Sequence, residues 1–217
     1  MPDPLGEKYY DVSPYAYCAG NPVNLVDPEG EKIYYADGVS KEFKQQFAAT
    51  VKYMNTRGTA GNLAKLEASD VIYYISEVNN IKSVRFSATD NNTIYWDPTH
   101  LYGTSSGLWL SPATALDHEA THALRHDDEA TGKMTKEDIK AFKQGLHYGT
   151  DSQYGTREER YIITEREQKT ARKHHEIVDG QITRTDHIIM TVGGDLIGKT
   201  PDEIEKIIIE HNILLLP

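Results

Sequence analysis

A single cysteine, Cys18, stands in this chain of 217 residues. That excludes an intramolecular disulfide framework and any zinc site needing two or more thiolates from one copy of the chain. A deaminase-type centre is excluded with it, because its HxE element requires a PCxxC partner. Basic residues are also scarce, with 23 Lys and Arg against 33 Asp and Glu and a formal net charge of −10. Without clustered cations to neutralise phosphates, the chain is not expected to bind nucleic acid. No apolar run approaches the roughly 18 residues needed to span a bilayer, so no membrane partner is expected. The opening Met1-Pro2-Asp3-Pro4 has neither the basic flank nor the apolar stretch of a secretory signal. Length and composition leave room for one compact domain with a short appendage, and the expected substrates are proteins or peptides.

Residues 1–30 are rich in Tyr, Pro, Asn and Gly and show no sustained period, which reads as an extended arm or the tail of another domain. Residues 10–30, YDVSPYAYCAGNPVNLVDPEG, closely resemble the end of the Rhs repeat-associated core, the shell-forming part of bacterial polymorphic toxins. The resemblance implies that residues 31–217 occupy the place of a C-terminal toxin cargo. Such cargo is bacterial, is exported without a signal peptide of its own and acts inside a target cell. It is commonly matched by a cognate immunity protein.

From residue 31 the pattern is that of an α+β domain. Phe43, Phe47, Val51 and Met54 recur at helical spacing within residues 40–55. A second helix is expected at about 60–68. Short β-rich runs at 71–75, 83–87 and 93–96 predict a small sheet. The last of these precedes Pro98, which cannot donate a ladder hydrogen bond, so 93–96 is expected to be the sheet edge that receives substrate, with Tyr95 or Trp96 lining the cleft. Ser111 as N-cap and Pro112 at the first helical position open a helix running through Arg125. Further helices are expected at 136–146, 157–173 (opened by Thr156) and 201–211 (opened by Thr200 with Glu203 three residues on), with a strand at 187–192.

The helix opened by Ser111 carries His118-Glu119-Ala120-Thr121-His122, an HExxH string. Residues four apart lie one turn above each other, so His118 and His122 can ligate one Zn²⁺. Glu119 sits about 100° round the helix, where its carboxylate reaches the attacking water and can serve as general base before protonating the leaving amine. Ala115, Ala120 and Ala123 permit close packing around such a site. His126 continues the stripe but lies about 12 Å along the axis from His118, too far for one ion to bridge. HExxHxxGxxH is absent, since Arg125 takes the glycine position and Asp128 the last histidine position.

The third ligand is expected from a later element, and residues 154–172 offer Glu158, Glu159, Glu165 and Glu167. On a regular helix Glu159 lies on the face of Ile162 and Ile163; Glu158 and Glu165 point more than about 90° away, and Glu167 is about 80° off. Glu159 is therefore preferred, with Glu167 and then Glu158 as alternatives. As the third residue after Thr156, Glu159 is also placed to complete a capping box.

These residues resemble the injected effector metallopeptidases of enteric pathogens and the clostridial neurotoxin light chains, in which HExxH is followed after about 35–40 residues by a Glu, often the second of a Glu-Glu pair. Glu158-Glu159 matches that pair, and the resemblance implies Glu159 as the ligand within a zincin-like (gluzincin) fold. The light chains also carry an Arg-x-x-Tyr pair that stabilises the tetrahedral intermediate. Arg184-Thr185-Asp186-His187 matches its arginine but has His in place of Tyr, so Arg184 and His187 are implied as catalytic. The expectation is a zinc endopeptidase acting as a toxin. Its rivals are a non-catalytic binding or capping module at the end of an Rhs shell and a zinc hydrolase of non-peptide amides.

Overall fold

A computed structural model describes residues 33–134, 150–192 and 196–215. The Rhs-like segment 10–30 and the expected helix 136–146 lie outside the described residues. Within them the chain is mixed α+β.

After β1 (Ile33–Tyr35), α1 (Lys41–Arg57) starts where Ser40 accepts a hydrogen bond from Phe43 N and ends at Gly58, whose φ of 66° suits a residue without Cβ. Then come α2 (Gly61–Glu67), β2 (Tyr73–Glu77), a 3₁₀ turn (Ile81–Ser83), β3 (Arg85–Ser87) and β4 (Thr93–Trp96). β1, β2 and β4 run parallel and β3 is antiparallel, in the order β1-β2-β4-β3. β5 (Leu101–Thr104) and β6 (Trp109–Leu110) form a second sheet with β9 (Ile189–Val192), in the order β6-β5-β9.

The long helix α3 (Pro112–Ala130) is capped by the Ser111 hydroxyl, as expected, and runs past Arg125. It packs on β3 and β4 through Ala120 and Ala123, both fully buried with Leu116. Phe43, Phe47 and Met54 of α1 fill the same core against Ile75, Ile94 and Trp96. A fully buried side chain of that size contributes about 1.5–3 kcal/mol, so this cluster holds the helix against the sheet. Its start is tied down further by Trp96 Nε1 donating to Pro112 O at 2.8 Å. Glu176 fixes the same end, accepting from Ser111 N and from the Thr114 hydroxyl. Midway along α3, buried Asp117 accepts from Asn62 of α2 and from Thr170.

The expected substrate edge is corrected here. β4 is interior, paired with β2 on one side and β3 on the other, and Trp96 is fully buried in edge contact with Phe43 and Phe47. The Tyr95 hydroxyl donates to Asp90 while Arg85 lies over the ring. The edges are β1 and β3, and the one against α3 is β3, because β3 follows β2 in sequence but docks beyond β4.

A short hairpin, β7 (Thr150–Asp151) and β8 (Gly155–Thr156), leads into α4 (Arg157–Tyr161), a π-helical turn (Ile162–Glu167) and α5 (Gln168–Lys173). The chain closes on α6 (Pro201–Ile213), where Thr200 and Glu203 form a complete capping box. Among the described residues no helix is long and apolar enough to cross a membrane.

Candidate metal centre

His118 and His122 project from one face of α3 with ring centroids 5.1 Å apart. Opposite them α4 presents Glu159, whose Oε1 lies 3.1 Å from His122 Nε2 and whose Oε2 lies 3.2 Å from His118 Nε2. The N–H of Glu159 caps onto the Thr156 hydroxyl at 3.0 Å, but its carboxylate goes to the histidines rather than completing a capping box.

One ligand atom from each of His118, His122 and Glu159 falls within 4.8 Å of the others, the one such group among the described residues. Bonds of about 2.1 Å at tetrahedral angles separate ligand atoms by about 3.4 Å, so the donor set fits a zinc ion. Glu159 Oε2 is buried and makes no hydrogen bond of good geometry; a cation satisfies such an acceptor. His126 is not in the group and packs against Phe86 instead.

The other two glutamates weighed from sequence take different places. Glu158 Oε1 lies 3.2 Å from His122 Nδ1, and Glu167 Oε2 lies 3.0 Å from His118 Nδ1. Each imidazole thus has a carboxylate on the nitrogen facing away from Glu159, which fixes ring orientation and leaves Nε2 for a metal. The π-helical turn explains why Glu167 arrives there. Bonding i→i+5 takes in one more residue per turn, setting later residues back by about 100°. Glu167 therefore comes to about −20° from Glu159, on the same face, rather than the +80° of an unbroken helix. Ile162 and Ile163 are fully buried beside it.

Arg184 is almost fully buried and clamps Glu167 through Nε at 3.1 Å and Nη2 at 2.5 Å. Its Nη2 is 3.4 Å from His118 Nδ1, so the guanidinium sits behind His118. His187 is 54% exposed with Nε2 3.4 Å from Glu159 Oε1, at the open side of the site. Glu119 Oε2 accepts from Phe86 N at 2.7 Å, which brings the general-base candidate to edge strand β3. The orienting carboxylates, the π-helical turn and the Phe86 contact were not read from sequence; the Glu-Glu pair itself was the available signal for Glu158.

Burial opposes charge on both rings, and the carboxylates override it: Glu159 and Glu167 hold His118 up at about 9, and Glu158 and Glu159 hold His122 up at about 10. Burial would raise Glu159, but the facing histidines drive it far below the usual carboxylate range. Burial opposes the charge of Glu167 too, and Arg184 with His118 brings it down to about 2.

Metal uptake at neutral pH must therefore displace protons from both rings. Zinc affinity is expected to rise steeply between pH 6.5 and 9, by up to ~100-fold per unit where both protons are lost. Stability of the metal-free chain moves the other way. The folded pKa values lie above the unfolded value of about 6.5, so this contribution is complete below pH 6.5 and is lost as pH rises through about 9 and 10. Zinc titrations in a weakly buffered solution with a pH indicator check this, and an affinity flat from pH 6.5 to 9 contradicts it.

Two cavities flank Glu119. One of about 270 Å³ opens between β9, the 3₁₀ turn and the first turns of α3, with His118, Arg184 and His187 on its polar side. The other, about 290 Å³, is bordered by Phe86, His122, His126, Glu129, Glu158 and Glu159. Comparison with protein-family models, with curated proteins and with solved structures finds no match.

Proposed function

We propose that the chain is a zinc-dependent endopeptidase of zincin-like, gluzincin type, carried as the cargo of an Rhs-type polymorphic toxin and directed at a protein of a target cell. The observation that carries this reading is the convergence of His118 Nε2, His122 Nε2 and the Glu159 carboxylate, with Glu119 alongside at the edge strand. The Rhs-like segment at residues 10–30 supports the toxin part, and with it a cognate immunity protein as partner.

His118, His122 and Glu159 would hold the ion, and Glu158 and Glu167 would keep the imidazoles aimed at it. A zinc ion held by these residues would supply Lewis-acid chemistry, lowering the pKa of water toward about 7 and polarising the scissile carbonyl. Glu119 takes the proton of the attacking water and delivers it to the leaving amine. A peptide adding to β3 competes for the Phe86 N–H, which frees the Glu119 carboxylate to turn toward the reacting atoms. His187, exposed at the open side, donates to the developing oxyanion. Arg184 acts through Glu167 and His118 and is a positioning residue.

The test compares newly formed protein N-termini in cell lysates treated with the zinc-loaded chain and with its Glu119→Gln variant. A discrete set of cleavages that only the unaltered chain makes is expected. Identical N-termini in both samples would sink the peptidase reading.

A further inference from the structure

Of the side chains given a role at the metal, His187 alone is exposed, so its own packing does little to hold it in place. The segment that carries it is anchored at both ends. Arg184 is clamped on Glu167, and Ile189 opens β9, where it pairs with Thr104 of β5. Between these anchors Thr185, His187 and Ile188 are exposed. A short exposed bridge of this kind shifts freely unless a neighbouring element grips its backbone.

The grip comes from the β7–β8 hairpin. At its turn the Gln153 side-chain amide donates to Thr185 O, two residues before His187. Two residues further along the hairpin, Gly155 has a φ of 81°, and a Cβ built there would stand 4.0 Å from His187 Nδ1, so the imidazole lies beside bare backbone. The hairpin is in turn tied to the helix that carries Glu159. Asp151 accepts from Gln153 N and Tyr154 N, each at 2.9 Å, and from Arg160 Nε at 2.7 Å. Arg160 follows Glu159 on α4 and lies over the buried Tyr154 ring. Arg160 and the two N–H groups hold the Asp151 carboxyl down at about 2, so the tie is in place at neutral pH. A continuous chain of contacts thus runs from the ligand helix through the hairpin to the loop of His187.

We infer that Gln153 is a positioning residue for the proposed reaction: through Thr185 O it holds residues 185–188 so that the His187 imidazole stays beside Glu159, where a developing oxyanion can accept its N–H. The inference rests on the zinc-peptidase reading and deepens it. An oxyanion donor contributes about 10²–10³ in turnover, and only when its N–H lies about 3 Å from the oxygen. A displacement of about 1 Å can cost on the order of 100-fold. Gln153 is itself exposed, and replacing an exposed side chain leaves stability nearly unchanged. Its effect on turnover is therefore separable from folding.

The experiment compares the unaltered chain, Gln153→Ala, His187→Ala and the double variant, all loaded with zinc. Turnover is measured on the peptide cut fastest in a random-sequence pool. Gln153→Ala is expected to lower kcat on the order of 10-fold with KM and zinc affinity unchanged, and to have no effect once His187 is alanine. Gln153→Glu, which keeps the length but loses the donor, should match Gln153→Ala. A second measurement needs no turnover. In chains labelled at histidine, the nuclear Overhauser contact between the His187 ring and the Gly155 α-protons should be present in the unaltered chain and lost in Gln153→Ala, with the His118 and His122 signals unmoved.

A loss of kcat as large in the His187→Ala background as in the unaltered one overturns the inference, and so does no loss in either. The ring contact retained in Gln153→Ala overturns it as well, whatever the rates. If zinc is bound and the pool is left uncut, the peptidase reading fails and the oxyanion role with it, while the ring contact still decides whether Gln153 places His187. Failure to take up zinc overturns the peptidase reading and the inference together.

Discussion

Replacing either His118 or His122 by alanine is expected to abolish zinc binding, whereas Glu119→Gln keeps the metal and loses the activity. The separation follows from where the side chains end. Both Nε2 atoms face Glu159 and belong to the group that can hold an ion, while the Glu119 carboxylate points to Phe86 N at the sheet edge. With zinc at a thousandfold excess over its Kd, binding adds about 4 kcal/mol to folding stability. For a chain of this size that raises the melting temperature by about 8–16 °C. The increment should be present in the unaltered chain and in Glu119→Gln and absent in both histidine variants. Peptide hydrolysis should fall by about 10²–10⁴ in Glu119→Gln, the range that a general acid–base contributes. Metal analysis, calorimetric melting and a peptide assay on the same preparations decide the matter. Zinc retained at one ion per chain in either histidine variant removes the centre from these residues.

The second large effect concerns the three glutamates. Glu159→Ala removes a ligand atom and is expected to weaken zinc on the order of 10³-fold or more, beyond the 10–100-fold expected when an orienting partner is lost, as in Glu158→Gln or Glu167→Gln. Stability distinguishes the latter two. Glu167 and Arg184 are a buried pair, exposed by 3% and 2%. Glu167→Gln leaves the guanidinium without its counter-charge, which costs about 3–5 kcal/mol even in metal-free protein. Glu158 sits at the half-buried His122 and Arg125 and should show little of this. Competitive chelator titrations give the affinities and denaturant midpoints give the stabilities. If Glu167→Gln weakens zinc more than Glu159→Ala, the ligand assignment passes to Glu167.

Arg184 shows how far a motif carries. The sequence resemblance places an arginine and a histidine three apart near the reacting atoms, and both do converge on the site. Burial then divides them: His187 stands open beside Glu159, and Arg184 is locked behind His118. Linear spacing carries no sign of that division, because it depends on which side of His118 the loop before β9 passes.

What the sequence alone determined is local. Ser111, Thr156 and Thr200 each cap the helix that follows, because a cap is a bond between residues three apart. His118 and His122 share a face because four residues make about one turn. The α+β class follows from apolar periodicity in the same way. Other features depend on contacts over longer distances. The pairing of β3 beyond β4 makes Arg85–Ser87 the edge and buries Trp96. The π-helical turn swings Glu167 onto the face of Glu159, where a regular 100° step keeps it away. The cavity of about 270 Å³ gathers the 3₁₀ turn, β5, β6, α3 and β9 around one side of Glu119. Each of these rests on contacts between segments far apart in the chain, and such contacts are set by how whole faces pack, a quantity that no short run of residues contains.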